Sequence, residues 1–112
     1  MSNSVRVKKR GHVMEVTLDR PKVNAIDLAT SRALGEAFKD LQDDPNLRVG
    51  IVTAAGDRLF SAGWDLKAAH QNEEVGKWWE TQDYGAGGFA GLTELWSLNK
   101  PAIAAVKGLT LG

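Results

Sequence analysis

The sequence predicts an α/β fold: a hairpin first, then parallel strands alternating with helices. Three observations carry this. The chain opens on alternating apolar and polar residues, continues into a helical stripe, and then shows short β-branched runs without polar alternation. Strands apolar on both faces need cover on both, and that is the layering of a parallel sheet.

Val5 and Val7 alternate with Arg6 and Lys8, and Met14, Val16 and Leu18 alternate with Val13, Glu15 and Thr17. Gly11 lies between the runs, so they read as a hairpin of two half-buried strands. Pro21 has no N–H to give a ladder and closes the second strand. Asp27 is a candidate N-cap for a helix whose buried stripe is Leu34, Phe38 and Leu41. Asp43 and Asp44 would oppose the helix dipole in a last turn, which places the end near Gln42, before the stop at Pro45. Residues 48–53 read as a buried parallel strand, and Gly56 and Asp57 mark a loop. The segment 59–67 is apolar, tight and glycine-bearing, with a short helix starting over 65–71. Residues 71–88 read as a mobile insertion or lid. Phe89, Leu92 and Trp96 mark a second amphipathic helix, and residues 102–106 another buried strand. A parallel strand usually has a further unit beyond it, so residues 1–112 read as the front part of one larger domain.

Composition narrows the function classes. Fourteen basic and 14 acidic residues give a net charge of zero, without the basic excess of a dedicated nucleic-acid binder. On the same ground Arg6, Lys8, Lys9 and Arg10 read as the solvent side of a strand and its turn rather than a phosphate patch. The absence of cysteine excludes a disulfide framework, a thiolate metal site and a cysteine nucleophile. The basic residues near the start precede no apolar signal region, and no apolar run approaches the ~20 residues of a membrane span. The cytoplasm is the expected location by elimination.

Most constellations lack the context their chemistry requires. His12 and His70 share no metal-ligand spacing, and no metal is expected. His12 reads as the start of a strand and His70 as part of an exposed helix. Ser61 stands in F-S-A-G, not G-x-S-x-G, so there is no nucleophile elbow. Gly85, Gly87 and Gly88 can be forced towards a dinucleotide fingerprint, but no buried strand precedes them, and a flexible hinge is the better reading. The turn Phe60-Ser61-Ala62-Gly63-Trp64-Asp65 is more informative. Small residues at 61–63 leave backbone N–H groups uncovered, and if Asp65 opens a helix, those near 62–64 lie at its positive end. Such a turn can hold a carbonyl oxygen that becomes negative during a reaction.

Three ordered motifs now carry a resemblance over essentially the whole chain. They are Leu18-Asp19-Arg20-Pro21-Lys22-Val23-Asn24-Ala25, then Phe60-Ser61-Ala62-Gly63-Trp64-Asp65-Leu66-Lys67, then Asn99-Lys100-Pro101-Ala102-Ile103-Ala104-Ala105-Val106-Lys107-Gly108 running on to Gly112. The chain resembles the crotonase, or enoyl-CoA hydratase/isomerase, family. The resemblance implies the N-terminal part of a ββα-spiral fold and reversible hydration of a 2-enoyl-CoA through a thioester enolate. It implies no metal or redox cofactor, coenzyme A as part of the substrate, and a trimer or hexamer for the intact enzyme. The Ala62 N–H would be the first half of the oxyanion hole. Lys22, Val23 and Ala25 would line the path of the coenzyme A adenine and pantetheine, with Ser61, Gly63, Trp64, Asp65 and Leu66 opposite. Trp64 would pack on the acyl or pantetheine chain. Trp64 with the 71–91 insertion hints at a charged, carnitine-like acyl group.

The resemblance also implies parts that lie beyond Gly112. The second oxyanion N–H belongs to a triple-glycine turn of which Gly112 matches only the first residue. Two catalytic carboxylates lie further on, and Glu73, Glu74, Glu80 and Glu94 do not match them. One lost oxyanion donor costs ~10²–10³ in rate and lost acid–base groups a further ~10²–10⁴, so these residues alone are expected to be inactive. The alternatives are a non-catalytic coenzyme A-binding remnant and an interaction module using residues 76–96.

Overall fold

The opening alternation folds as a hairpin in a computed structural model, which describes residues 4–67 and 83–111. β1 (Val5–Arg10) and β2 (Val13–Leu18) pair antiparallel, with Val5 opposite Leu18 and Arg10 opposite Val13. Met14 and Val16 are 0% exposed and face the core. The two strands are not equally buried, as their alternation suggests they should be. β1 lies at the end of the sheet, is exposed from Arg6 onwards, and leaves Val7 46% exposed. Its basic residues do form the solvent side. Arg6 meets Asp19 at 3.2 Å, Arg10 meets Glu15 at 2.8 Å, and Lys9 meets Asp40 at 2.8 Å and Asp44 at 3.1 Å.

The helix α1 spans Leu28–Asp43. The Asp27 carboxylate accepts the Thr30 N–H at 2.8 Å, as expected of an N-cap. Leu34, Phe38 and Leu41 lie in one core cluster with Met14, Val16 and Leu47. The helix runs one residue past Gln42 because its C-terminus receives charge from elsewhere. The Lys100 ammonium donates to Leu41 O at 2.8 Å, in the last turn, and to Asp44 O at 2.7 Å, which also accepts the Leu47 N–H at 3.1 Å.

α1 carries the chain over to β3 (Val49–Ala54), which is parallel to β2, and β5 (Ala102–Ala104) is parallel to β3. The sheet order is β1-β2-β3-β5, while β4 (Leu59–Ser61) pairs separately with β6 (Leu109–Thr110). Two expectations fail here. The strand expected over 102–106 covers only Ala102–Ala104 and is exposed, because β5 ends the sheet and no strand pairs with its outer edge among the described residues. The second amphipathic helix is a single 3-10 turn, Phe89–Gly91. Ala90 has φ +58°, between Gly88 at +72° and Gly91 at +78°, and such left-handed backbone cannot propagate an α-helix. Trp96, expected on the buried face of that helix, is 86% exposed.

Gly87, one of the glycines expected to act as a hinge, instead makes a close packing contact with Gly91. A Cβ on Gly91 would run into the Gly35 backbone N, and one on Gly87 into Gly91 O. The lid expected over 71–88 lies mainly outside the described residues, as does His70. His12 sits in the turn before β2, its Nδ1 2.6 Å from Asn46 O.

The clamp between β1 and the end of α1 is pH-sensitive. The Asn46 N–H, followed by Lys9, holds the Asp44 carboxyl below the usual carboxylate range, and Asp40 and Asp44 raise the Lys9 ammonium. A lowered carboxyl stabilises the fold above its unfolded pKa and loses that effect as pH falls through the folded one. A raised ammonium stabilises below its unfolded pKa and loses that effect as pH rises through the folded one. The clamp therefore operates from about pH 4 to about pH 10. Asp44→Asn is expected to flatten the acid limb of a urea-midpoint profile below about pH 4 relative to the parent chain.

Candidate functional site

The end of β2 and the turn after β4 are far apart in sequence, but backbone hydrogen bonds zip them together. Ala62 N–H donates to Val23 O at 2.9 Å, Ile26 N–H to Gly63 O at 2.7 Å, and Asp65 N–H to Ile26 O at 2.9 Å. Ile26 and Trp64 thus form a parallel bridge outside the named strands. The buried Ser61 hydroxyl donates to Asn24 O at 2.7 Å and accepts the Gly63 N–H at 2.9 Å. Asn24 has φ +49°, a conformation asparagine tolerates, and its side chain donates to Phe60 O at 3.1 Å and accepts the Arg20 N–H at 2.7 Å. Gly63 takes φ +89°, which an L side chain rarely adopts.

Arg20 is the hub of the assembly. Its Nη1 donates to Asp65 Oδ2 at 2.7 Å and to Ala25 O at 2.8 Å, and its Nη2 lies 3.3 Å from Asp27 Oδ2. One guanidinium therefore ties together the loop after β2, the cap of α1 and the start of the helical turn at Leu66 and Lys67. Its planar fork of donors suits this, where a lysine would not.

The two zipped segments border an open cleft of about 570 Å³. Lys22, Val23, Ala25, Ala62, Trp64, Asp65 and Leu66 all line it, together with Arg20, Pro21 and Lys67. Ser61 and Gly63 are not among the lining residues; they are buried and shape the turn. Exposed Val23 and Leu66 beside Lys22 and Lys67 offer apolar surface next to positive charge, which suits a long ligand with anionic groups. The Ala62 N–H, expected to face a substrate carbonyl, is engaged with Val23 O, so it joins the two segments. The carboxylates of Asp65 and Asp27 are likewise held by Arg20.

Behind Trp64, which lines the cleft, lie two more aromatic residues. Burial raises the Tyr84 phenol above its ordinary range, and a hydrogen bond with the Trp64 side chain opposes that shift. Tyr84 meets Phe89 edge to face, with ring centroids 6.0 Å apart. Sequence reasoning gave no role to Arg20, Asn24 or Tyr84. Arg20 and Asn24 stand inside a quoted motif, but their partners lie up to 45 residues away.

The model of the enoyl-CoA hydratase/isomerase family matches residues 8–112. The chain belongs to the enoyl-CoA hydratase/isomerase family. Among curated relatives it is 58% identical to a carnitinyl-CoA dehydratase of Salmonella arizonae and 56% identical to one of Proteus mirabilis, each over all 112 residues. It spans 41% of the length of each. Among solved structures, a carnitinyl-CoA hydratase from Mycobacterium avium superposes with a TM-score of 0.79 at 35% identity, over 96% of this chain and 40% of that one. An enoyl-CoA hydratase from Mycobacterium tuberculosis gives 0.75 at 37% identity, over 96% and 39%. The fold is therefore that of the N-terminal part of a crotonase enzyme. No helix among the described residues is long and apolar enough to cross a membrane.

Proposed function

We propose that the cleft between residues 20–25 and 62–67 binds an acyl-CoA thioester, in an enzyme that adds water reversibly to a 2-enoyl-CoA. Crotonobetainyl-CoA and carnitinyl-CoA are the substrate pair. The observation that carries this reading is the cleft itself, where the family's two expected walls are joined by backbone hydrogen bonds and share one guanidinium. The whole-length match to carnitinyl-CoA dehydratases supports the choice of acyl group.

In this reading the apolar wall takes the pantetheine, and the rim lysines take anionic groups of coenzyme A. The thioester carbonyl lies against the 62–64 turn, where the Ala62 N–H exchanges Val23 O for the thioester oxygen and stabilises the developing enolate, an effect worth ~10²–10³ in rate per donor. Asp65 and Asp27 are committed to Arg20, so proton transfer falls to groups outside this cleft. Coenzyme A enters only as part of the substrate. The enzyme works in the cytoplasm as a trimer or hexamer.

Crotonobetainyl-CoA is the test substrate, with turnover followed by loss of enoyl-thioester absorbance and binding by calorimetry. Saturable binding of this thioester and its conversion to carnitinyl-CoA are expected. Absence of thioester binding would overturn the reading, and a partner protein bound at residues 76–96 would then be favoured.

A further inference from the structure

The side chain of Trp64 leaves the thioester turn and meets Tyr84, a residue from the segment that α1 holds by close glycine packing. Tyr84 in turn meets Phe89 at 6.0 Å, with ring planes at 69°. Three aromatic rings thus lie in sequence, Trp64 on the cleft, Tyr84 beside it and Phe89 packed on Leu18, Ile26 and Ala54, and the hydrogen bond between Trp64 and Tyr84 fixes two of them against each other. Among the described residues, the two carboxylates next to Trp64 and Tyr84 in sequence are engaged. Asp65 is held by Arg20 at 2.7 Å, while Asp83 accepts the Gly85 N–H at 2.9 Å.

These features favour one kind of ligand group. A primary ammonium needs hydrogen-bond acceptors, whereas a quaternary ammonium has no N–H to satisfy and is attracted to ring faces. In a crotonobetainyl thioester the trimethylammonium lies only a few bonds from the carbonyl. We propose that Trp64, Tyr84 and Phe89 form the wall that receives this quaternary ammonium, with Tyr84 as the residue that sets preference for a cationic acyl group. The inference rests on the acyl-CoA reading above and specifies which end of the acyl group these rings select.

The test compares two probes by calorimetry on the protein and two variants. One probe is crotonobetainyl-CoA. The other is its neutral isostere, with a quaternary carbon in place of nitrogen. Tyr84→Leu is expected to lose roughly 3- to 30-fold in affinity for the cationic probe and less than about twofold for the neutral one. Tyr84→Phe keeps the ring face and is expected to retain the preference. Equal losses for both probes, or an unchanged preference in Tyr84→Leu, would overturn the inference while leaving thioester binding intact. If the parent protein bound neither probe, the acyl-CoA reading would fail and this inference with it.

Discussion

Arg20→Met is expected to lower stability by about 2–3 kcal/mol and thioester affinity by at least about tenfold. The Arg20 side chain is 29% exposed and that of Asp65 14%, so the pair is largely but not fully withdrawn from water. Removing the guanidinium leaves the Asp65 and Asp27 carboxylates and the Ala25 carbonyl short of a donor together. That penalty exceeds the net worth of the bonds themselves, because each group keeps its desolvation cost. Partial exposure holds the figure below the roughly 3–5 kcal/mol of a fully buried broken pair. Methionine retains much of the stem, so the loss reports on charge rather than packing. Urea unfolding gives the first number and calorimetry with crotonobetainyl-CoA the second. Retained affinity would show that Arg20 does not organise the cleft.

Gly91→Ala is expected to cost about 2–4 kcal/mol. The φ of +78° accounts for about 1 kcal/mol of this through the left-handed penalty. Steric overlap supplies the rest. The new methyl would meet the Gly35 N, lie 2.6 Å from the Leu34 carbonyl carbon and 2.7 Å from Leu34 Cβ. Two of these atoms are backbone and cannot rotate away, so α1 and the 87–91 segment must separate. Gly11→Ala is the control. Its φ is +57°, yet a methyl at that position would have no neighbour within 4 Å, so only the left-handed penalty of ~1 kcal/mol applies. Equal costs at the two positions in urea unfolding would contradict close packing at Gly91.

What was legible in the sequence depended on distance along the chain. Asp27 caps α1 through a bond to Thr30, three residues on, and the stripe of Leu34, Phe38 and Leu41 follows helical spacing, so both could be read locally. The parallel neighbours of β3 followed from its β-branched run. The exposure of β1 and β5 was not legible, because alternation shows which residues share a face, not whether anything covers it. The helix expected from Phe89, Leu92 and Trp96 failed because three apolar residues at helical spacing do not outweigh left-handed backbone at 88, 90 and 91. The walls of the cleft were read from motifs that resemble a family. The Arg20–Asp65 pair and the Trp64–Tyr84 contact were not, since they join segments that only the folded sheet brings together. The engagement of Ala62 N–H with Val23 O was hidden for the same reason.

Residues 20–27 and 60–67 together form the proposed acyl-CoA site, on which both the proposed reaction and the proposed ammonium wall depend. The most direct test is an amide chemical-shift titration of the isotopically labelled protein with crotonobetainyl-CoA. Saturable shifts concentrated in these two segments, including the Trp64 indole N–H, are expected. Shifts that spare both segments and gather instead in the groove between β1 and α1, around Val7 and Ala33, would contradict that site.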